Sequence, residues 1–257
     1  MPRRKQDAPA PIPLATDDDG EAFTLDIPGT EEMALRARAR LRAVQKSSSE
    51  KYRLDPYRFL VECVWTLDQA SQQVRRFPDV EDSPCACEFK CKNYLQHLVV
   101  RWLAEKRLLV PKSRRVLVSW VMVSLHCWLA RFFPGTTIAF VSRKQGLNDS
   151  EGAAELVRRV KFIEEHLPVE IEPLPFQYNF ARLKYPTIGS EIIGVAQGAD
   201  QLRQYTLTAI FADEMAYWEL AHDTYSASIP TLEGGGRFTG VSSANPGFFK
   251  QAVFDSL

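Results

Sequence analysis

Two adjacent carboxylates, Asp213 and Glu214, end an apolar run that begins at Leu207. A short apolar run bounded by polar residues has the pattern of a buried parallel strand, and the carboxyl ends of such strands carry the chemistry of open α/β sheets. An aspartate there can hold the water shell of a Mg²⁺ ion. A glutamate one residue later can polarise the water that attacks a terminal phosphate. Alone, the same acids would equally serve to cap a following helix, because negative charge is favoured at a helix N-terminus.

A second candidate lies upstream, where Pro111, Lys112, Ser113, Arg114 and Arg115 separate the short apolar stretch Leu108-Leu109-Val110 from a helical pattern starting near Ser119. A loop that joins a strand to a helix N-terminus can cradle phosphate with its backbone N–H groups and the helix dipole, and nearby cations complete the site. Ser119 is placed to ligate Mg²⁺. The usual Gly-Lys-Ser/Thr ending is missing, since Leu117 and Val118 precede Ser119 and the cations come earlier. A basic loop that merely caps a helix is the plainer alternative.

Lys112-Ser113-Arg114-Arg115-Val116-Leu117-Val118-Ser119-Trp120 resembles the deviant Walker A loop of the large terminase subunits of tailed double-stranded DNA bacteriophages, whose catalytic cation sits at the loop's start. Leu117 stands where that family commonly has glycine. Ala209 to Glu214 is similar to the family's Walker B strand with its adjoining catalytic glutamate, and Ser242-Ser243-Ala244-Asn245-Pro246 to its coupling motif. Gly198 to Arg203 is similar to the segment carrying a trans-acting arginine finger. Trp65 to Gln69, ahead of Phe77-Pro78, resembles the adenine-binding segment. The resemblance runs from about Phe59 to the C-terminus, with the motifs in the family's order.

The resemblance implies an α/β fold, a P-loop NTPase of the additional-strand catalytic-glutamate type with a mainly parallel central sheet flanked by helices. It implies ATP and Mg²⁺ as ligands. Lys112 and Arg114 would lie on the phosphates, with Ser113 and Arg115 in the same loop, Ser119 and Asp213 on the metal, and Glu214 activating water. Gln69 would read the adenine edge, Asn245 and Ser243 would sense the γ-phosphate, and Arg203 would complete a neighbouring subunit's site. The implied partners are double-stranded DNA, the portal protein of the procapsid, the small terminase subunit and further copies in a ring, in the host cytoplasm and transiently at the portal vertex. Two other readings stay open: a helicase-like DNA translocase, and a non-hydrolysing nucleotide-binding assembly protein in which the missing Gly-Lys pair marks a dead loop.

The remaining pattern must position these residues. Leu95, Leu98, Val99, Trp102 and Leu103 recur at helical spacing, and helices are expected at Ser119–Phe133, Ser150–His166 and near His222–Leu232. Strands are expected at Leu108–Val110, Thr137–Ser142 and Arg237–Ser242, with a hairpin of Phe180–Tyr185 and Glu191–Ala196. Strands alternating with helices argue a parallel sheet with right-handed crossovers. Residues 1–50 are expected to form a disordered leader, rich in proline and acid, followed by an Ala/Arg-rich helix over Glu31–Gln45; residues 51–257 would form the ATPase domain.

With 257 residues, 45% of them hydrophobic, the chain has room for one sizeable core. Its 32 basic and 32 acidic residues balance, so any nucleic-acid contact must come from a local patch. Val116–Phe133 approaches the length of a membrane span but contains Ser119, Ser124, His126 and Arg131, which suits a buried helix, and no membrane association is expected. Five cysteines without an export signal fit a reducing compartment. Cys85, Cys87 and Cys91 with His97 lack the paired Cys-x₂-Cys arms of common zinc sites, and whether they bind metal stays open. The RNase H-like nuclease that large terminases usually add is expected to be absent, because no acidic metal cluster of that kind is in the sequence.

Overall fold

A computed structural model describes residues 30–67, 73–77, 93–114, 116–144 and 152–255. Gln69, Arg115, Cys85, Cys87, Cys91 and the proline-rich leader lie outside the described residues. The chain separates into two compact units, residues 1–43 and 44–257. The described side chains of the first, Leu35 to Ala43, are exposed along helix α1 (Thr30–Leu54). That helix runs past Gln45, where the sequence pattern ends it, through the weak helix formers Ser47, Ser48 and Ser49. Contacts on either side of them hold it: Gln45 Nε2 donates to the Val169 carbonyl, and the Tyr52 hydroxyl to Glu62.

The second unit continues with α2 (Pro56–Cys63), capped by the Asp55 carboxylate, a small antiparallel pair β1 (Trp65–Leu67) and β2 (Val74–Arg76), and α3 (Asn93–Ala104). Then come β3 (Arg107–Pro111), α4 (Val118–Phe132), β4 (Thr137–Ser142), α5 (Gly152–Glu165), β5 (Gln177–Asn179), β6 (Arg182–Tyr185) and β7 (Ser190–Ala196). The chain goes on through α6 (Ala199–Arg203), β8 (Ala209–Asp213), a 3₁₀ turn Met215–Tyr217, α7 (Ala221–Glu233), β9 (Arg237–Ser242) and α8 (Phe248–Phe254).

Seven strands form one sheet in the order β3-β9-β8-β4-β7-β6-β5. The pairings from β3 to β7 are parallel, and β6 and β5 complete the edge antiparallel. The sheet is therefore the mainly parallel one expected, with one extra strand, β9, between the strand before the basic loop and the strand before the two acids. Side chains alternate across it. Ile138, Phe140 and Phe211 join a core with α2 to α5, whereas Ala139, Val141, Ile210 and Ala212 join a second core with α7 and α8.

The hairpin begins later than the alternation suggests. A turn at Phe180, with φ of 36°, takes Phe180 and Ala181 out of the expected strand, and the edge strand β5 precedes it. The turn carries no glycine or proline, so its apolar residues read as strand. At Gly194 a Cβ would sit 2.9 Å from the Ala153 carbonyl oxygen, so this glycine is what lets α5 lie close on the sheet.

Under the sheet, His126 of α4 is fully buried, stacked on Phe211 and edge-on to Phe140 and Trp102. Its Nδ1 lies 2.7 Å from the Met122 carbonyl and must carry the proton, while Nε2 has no partner among the described residues. Burial pushes the imidazole down to about 3. The unfolded chain takes up this proton first, at about pH 6.5. Stability is thus whole above that pH and falls toward pH 3, by about 1.4 kcal/mol per pH unit for one proton. Urea unfolding at stepped pH should give a shallower acid slope for His126→Phe; an unchanged slope would assign the acid sensitivity to other groups.

Candidate nucleotide site

Three parallel strands end side by side and present one cluster. Pro111 pairs with Ser242 of β9, and Lys112 N donates to the Ser242 carbonyl at 2.9 Å, so the ladder fixes the first residue of the basic loop. The Lys112 side chain is only 8% exposed, and its Nζ lies 2.6 Å from Glu214 Oε1. Ser119, in the first turn of α4, donates to Asp213 Oδ1 at 2.9 Å. Glu214 Oε2 accepts from Ser243 N at 3.2 Å, Ser243 Oγ at 3.0 Å and Ser242 Oγ at 3.4 Å. Two residues of the loop and helix thus meet two acids from a strand that is not adjacent to theirs.

Backbone geometry at two positions makes this possible. Glu214 leaves β8 in the left-handed region, φ 53°, and opens the turn whose Met215 side chain sits against Gly240, where a Cβ would be 3.1 Å from its sulfur. Leu117 caps α4 with φ 58° and ψ 6°. This is the conformation that glycine adopts without strain and that costs other residues about 1–2 kcal/mol. The loop therefore keeps a glycine-type turn without the glycine. Leu117→Val, β-branched and worse there, should lower stability by about 1–2 kcal/mol relative to Leu117→Gly; equal denaturation midpoints for the two variants would contradict the strained turn.

The two acids sit in different fields. Burial raises the Asp213 carboxyl above its ordinary range, against the Ser119 hydrogen bond and the charges of Arg159 and Lys112. Partial burial acts the same way on Glu214, but Lys112 and the Ser243 donors outweigh it and hold that carboxyl below its usual range. Glu214 is thus kept as an anion. Ser119 and Asp213 offer two hard oxygen ligands on one side of the cluster, a donor set that suits Mg²⁺ with water and phosphate filling the remaining positions.

Other expected residues stand apart. Ser113 and Arg114 are exposed at the start of the loop. The Asn245 amide donates to the Ala216 carbonyl at 2.9 Å, bracing the turn after Glu214 and not touching the acids. Arg203 ends the short helix α6, with its side chain 68% exposed and 3.5 Å from Asp200; it makes none of the cluster's contacts. Two residues near the cluster escape the sequence reading. Arg159 of α5 lies over the Trp120 ring at 5.2 Å and contributes to the field at Asp213. Tyr217, one 3₁₀ turn beyond Glu214, reaches Ser243. Its spacing of three residues from Glu214 is a signal the sequence does contain.

A strand leading into a basic loop, one inserted strand, then a strand ending in paired acids define the class by fold: a mainly parallel α/β sheet flanked by helices, with the strand order of the additional-strand type. No protein-family model and no curated protein matches the chain. Phage large terminases are among its neighbours in solved structures. One is the ATPase domain of the Thermus phage P74-26 large terminase in a mutant form, at 18% identity over 60% of this chain and 66% of that one, TM-score 0.44. The unaltered domain matches at 19% identity over 56% and 62%, TM-score 0.41. A third is the large terminase of a thermophilic bacteriophage in complex with ADP, at 16% identity over 60% of this chain and 39% of that one, TM-score 0.41. The chain thus spans 39% to 66% of these structures.

Proposed function

We propose that the chain hydrolyses ATP and is the ATPase part of a motor that packages double-stranded viral DNA into a procapsid. The observation that carries the hydrolysis is the paired contact Lys112–Glu214 and Ser119–Asp213 at the carboxyl ends of β3 and β8. Lys112 and Arg114 bind the phosphates, Ser119 and Asp213 hold the metal, and Glu214 orients and deprotonates the attacking water. When bound, Mg²⁺ neutralises charge developing on the phosphate oxygens. Ser243 contacts Glu214 directly, so loss of the terminal phosphate is felt at the end of β9. The ordered motifs that resemble those of large terminases support the packaging role, with portal protein, small subunit and DNA as partners and action at the portal vertex. Among the described residues no helix is long and apolar enough to cross a membrane.

Phosphate release from ATP tests the reading. Turnover should depend on Mg²⁺, vanish with a chelator, and fall about 10²-fold or more in Lys112→Ala, which removes a phosphate clamp worth several kcal/mol in the transition state. ATP binding without turnover, unchanged by that substitution, would favour the non-hydrolysing assembly protein. Separation of a forked duplex would favour the helicase-like translocase.

A further inference from the structure

Ser243 has one hydroxyl proton and two neighbours. Its Oγ lies 3.0 Å from Glu214 Oε2 and 3.3 Å from the Tyr217 hydroxyl. Glu214, ion-paired with Lys112, is a carboxylate and can only accept, so the Ser243 proton belongs to it. The contact with Tyr217 is then a hydrogen bond only if the phenol donates to Ser243. Among the described residues the phenol has one other acceptor in reach, the Ala244 carbonyl at 3.4 Å. When the phenol donates to Ser243, Tyr217 is the outer donor of a chain that runs Tyr217, Ser243, Glu214, and each donor in such a chain polarises the next.

We propose that Tyr217 is a positioning residue for the hydrolysis: its hydroxyl fixes the Ser243 rotor so that the serine proton aims the Glu214 carboxylate at the water it activates. The inference rests on the ATPase reading above. The elements that carry the chain are braced independently of it. Ala216 N donates to Ser242 Oγ at 3.0 Å, Asn245 holds the Ala216 carbonyl, and Trp218 Nε1 donates to the Asp213 carbonyl at 3.1 Å. Removing the phenol oxygen thus leaves the turn in place. With its side chain on the surface, 38% exposed, Tyr217 is not needed to fill the core. The phenol also has a choice of acceptors. Donating to Ser243 it supports Glu214, and donating to Ala244 it releases the serine to rotate.

The test is a double-mutant cycle on the full chain with Tyr217→Phe, Ser243→Ala and the pair, read by steady-state ATP turnover and by binding of a fluorescent ADP analogue. Tyr217→Phe removes one neutral hydrogen bond and should lower kcat about three- to tenfold. KM and ADP-analogue affinity should stay within about twofold, because the phenol touches no nucleotide-binding group. In the Ser243→Ala background the same change should have no further effect, since the link it acts through is gone. Ser243→Thr, which keeps the hydroxyl, should restore sensitivity to Tyr217→Phe. Turnover of Tyr217→Phe equal to the wild type, or losses that multiply across the pair, would overturn the positioning role and leave the ATPase reading standing. A wild-type chain that binds the analogue but turns over no ATP would overturn both.

Discussion

Glu214→Gln should abolish steady-state ATP turnover, by about 10²–10⁴-fold, the range set by loss of a positioned general base. Nucleotide binding should survive and can tighten. In the free protein Lys112 is held 2.6 Å from Glu214 Oε1, and a phosphate must draw it away from that anion. The glutamine keeps the shape and the Ser243 contacts but gives up the charge, so the lysine is released at lower cost. Asp213→Asn is the contrasting variant. It removes charge from the residue bonded to Ser119 and should weaken Mg²⁺-dependent binding itself. Single-turnover phosphate release beside binding of a fluorescent ADP analogue separates the two. Equal loss of binding in both variants would mean that the acids do not divide base and metal duties.

Arg203→Ala should lower turnover in the assembled state by about 10³–10⁵-fold, the worth of an arginine supplied to a phosphoryl-transfer site. Its side chain is 68% exposed and its ion pair to Asp200, an aspartate 95% exposed, is 3.5 Å long. Such a contact adds little stability, so the melting temperature should not move and the kinetic loss cannot be blamed on unfolding. Because Arg203 makes no contact within its own chain's cluster, the expected mode of action is in trans. Mixing Arg203→Ala chains with Glu214→Gln chains should then restore activity, since intact sites on the first receive arginines from the second. Absence of rescue at every ratio would refute the trans role.

Much of this architecture is written locally. Thr137–Ser142 and Arg237–Ser242 fall where the apolar runs place them, because strands buried on both faces need continuous apolar stretches and polar residues end them. The long apolar stretch after the basic loop becomes the buried helix α4 within a residue of its expected start. The short elements are less legible. α6, α8, β1, β2 and β5 have three to seven residues each, too few for a period to emerge, and the turn at Phe180 has Asn179 before it but no glycine or proline. The Ser47–Ser49 segment of α1 is helical against its propensity, through contacts that its own letters do not contain.

By itself the sequence determined that an apolar strand ends in Asp213 and Glu214, that a basic loop precedes a helix, and that polar residues follow the last strand, since each of these is a matter of neighbours along the chain. Only the tertiary structure decided which of them meet. The parallel order brings Lys112, 102 positions away, onto Glu214 and Ser119 onto Asp213, while it leaves Arg203 outside and turns Asn245 toward the Ala216 backbone. It also decided that Leu117 holds a glycine-type conformation and that Tyr217 stands behind Ser243. Those outcomes depend on strand order and on which face a loop falls, and such long-range packing is not encoded in the spacing of any one segment.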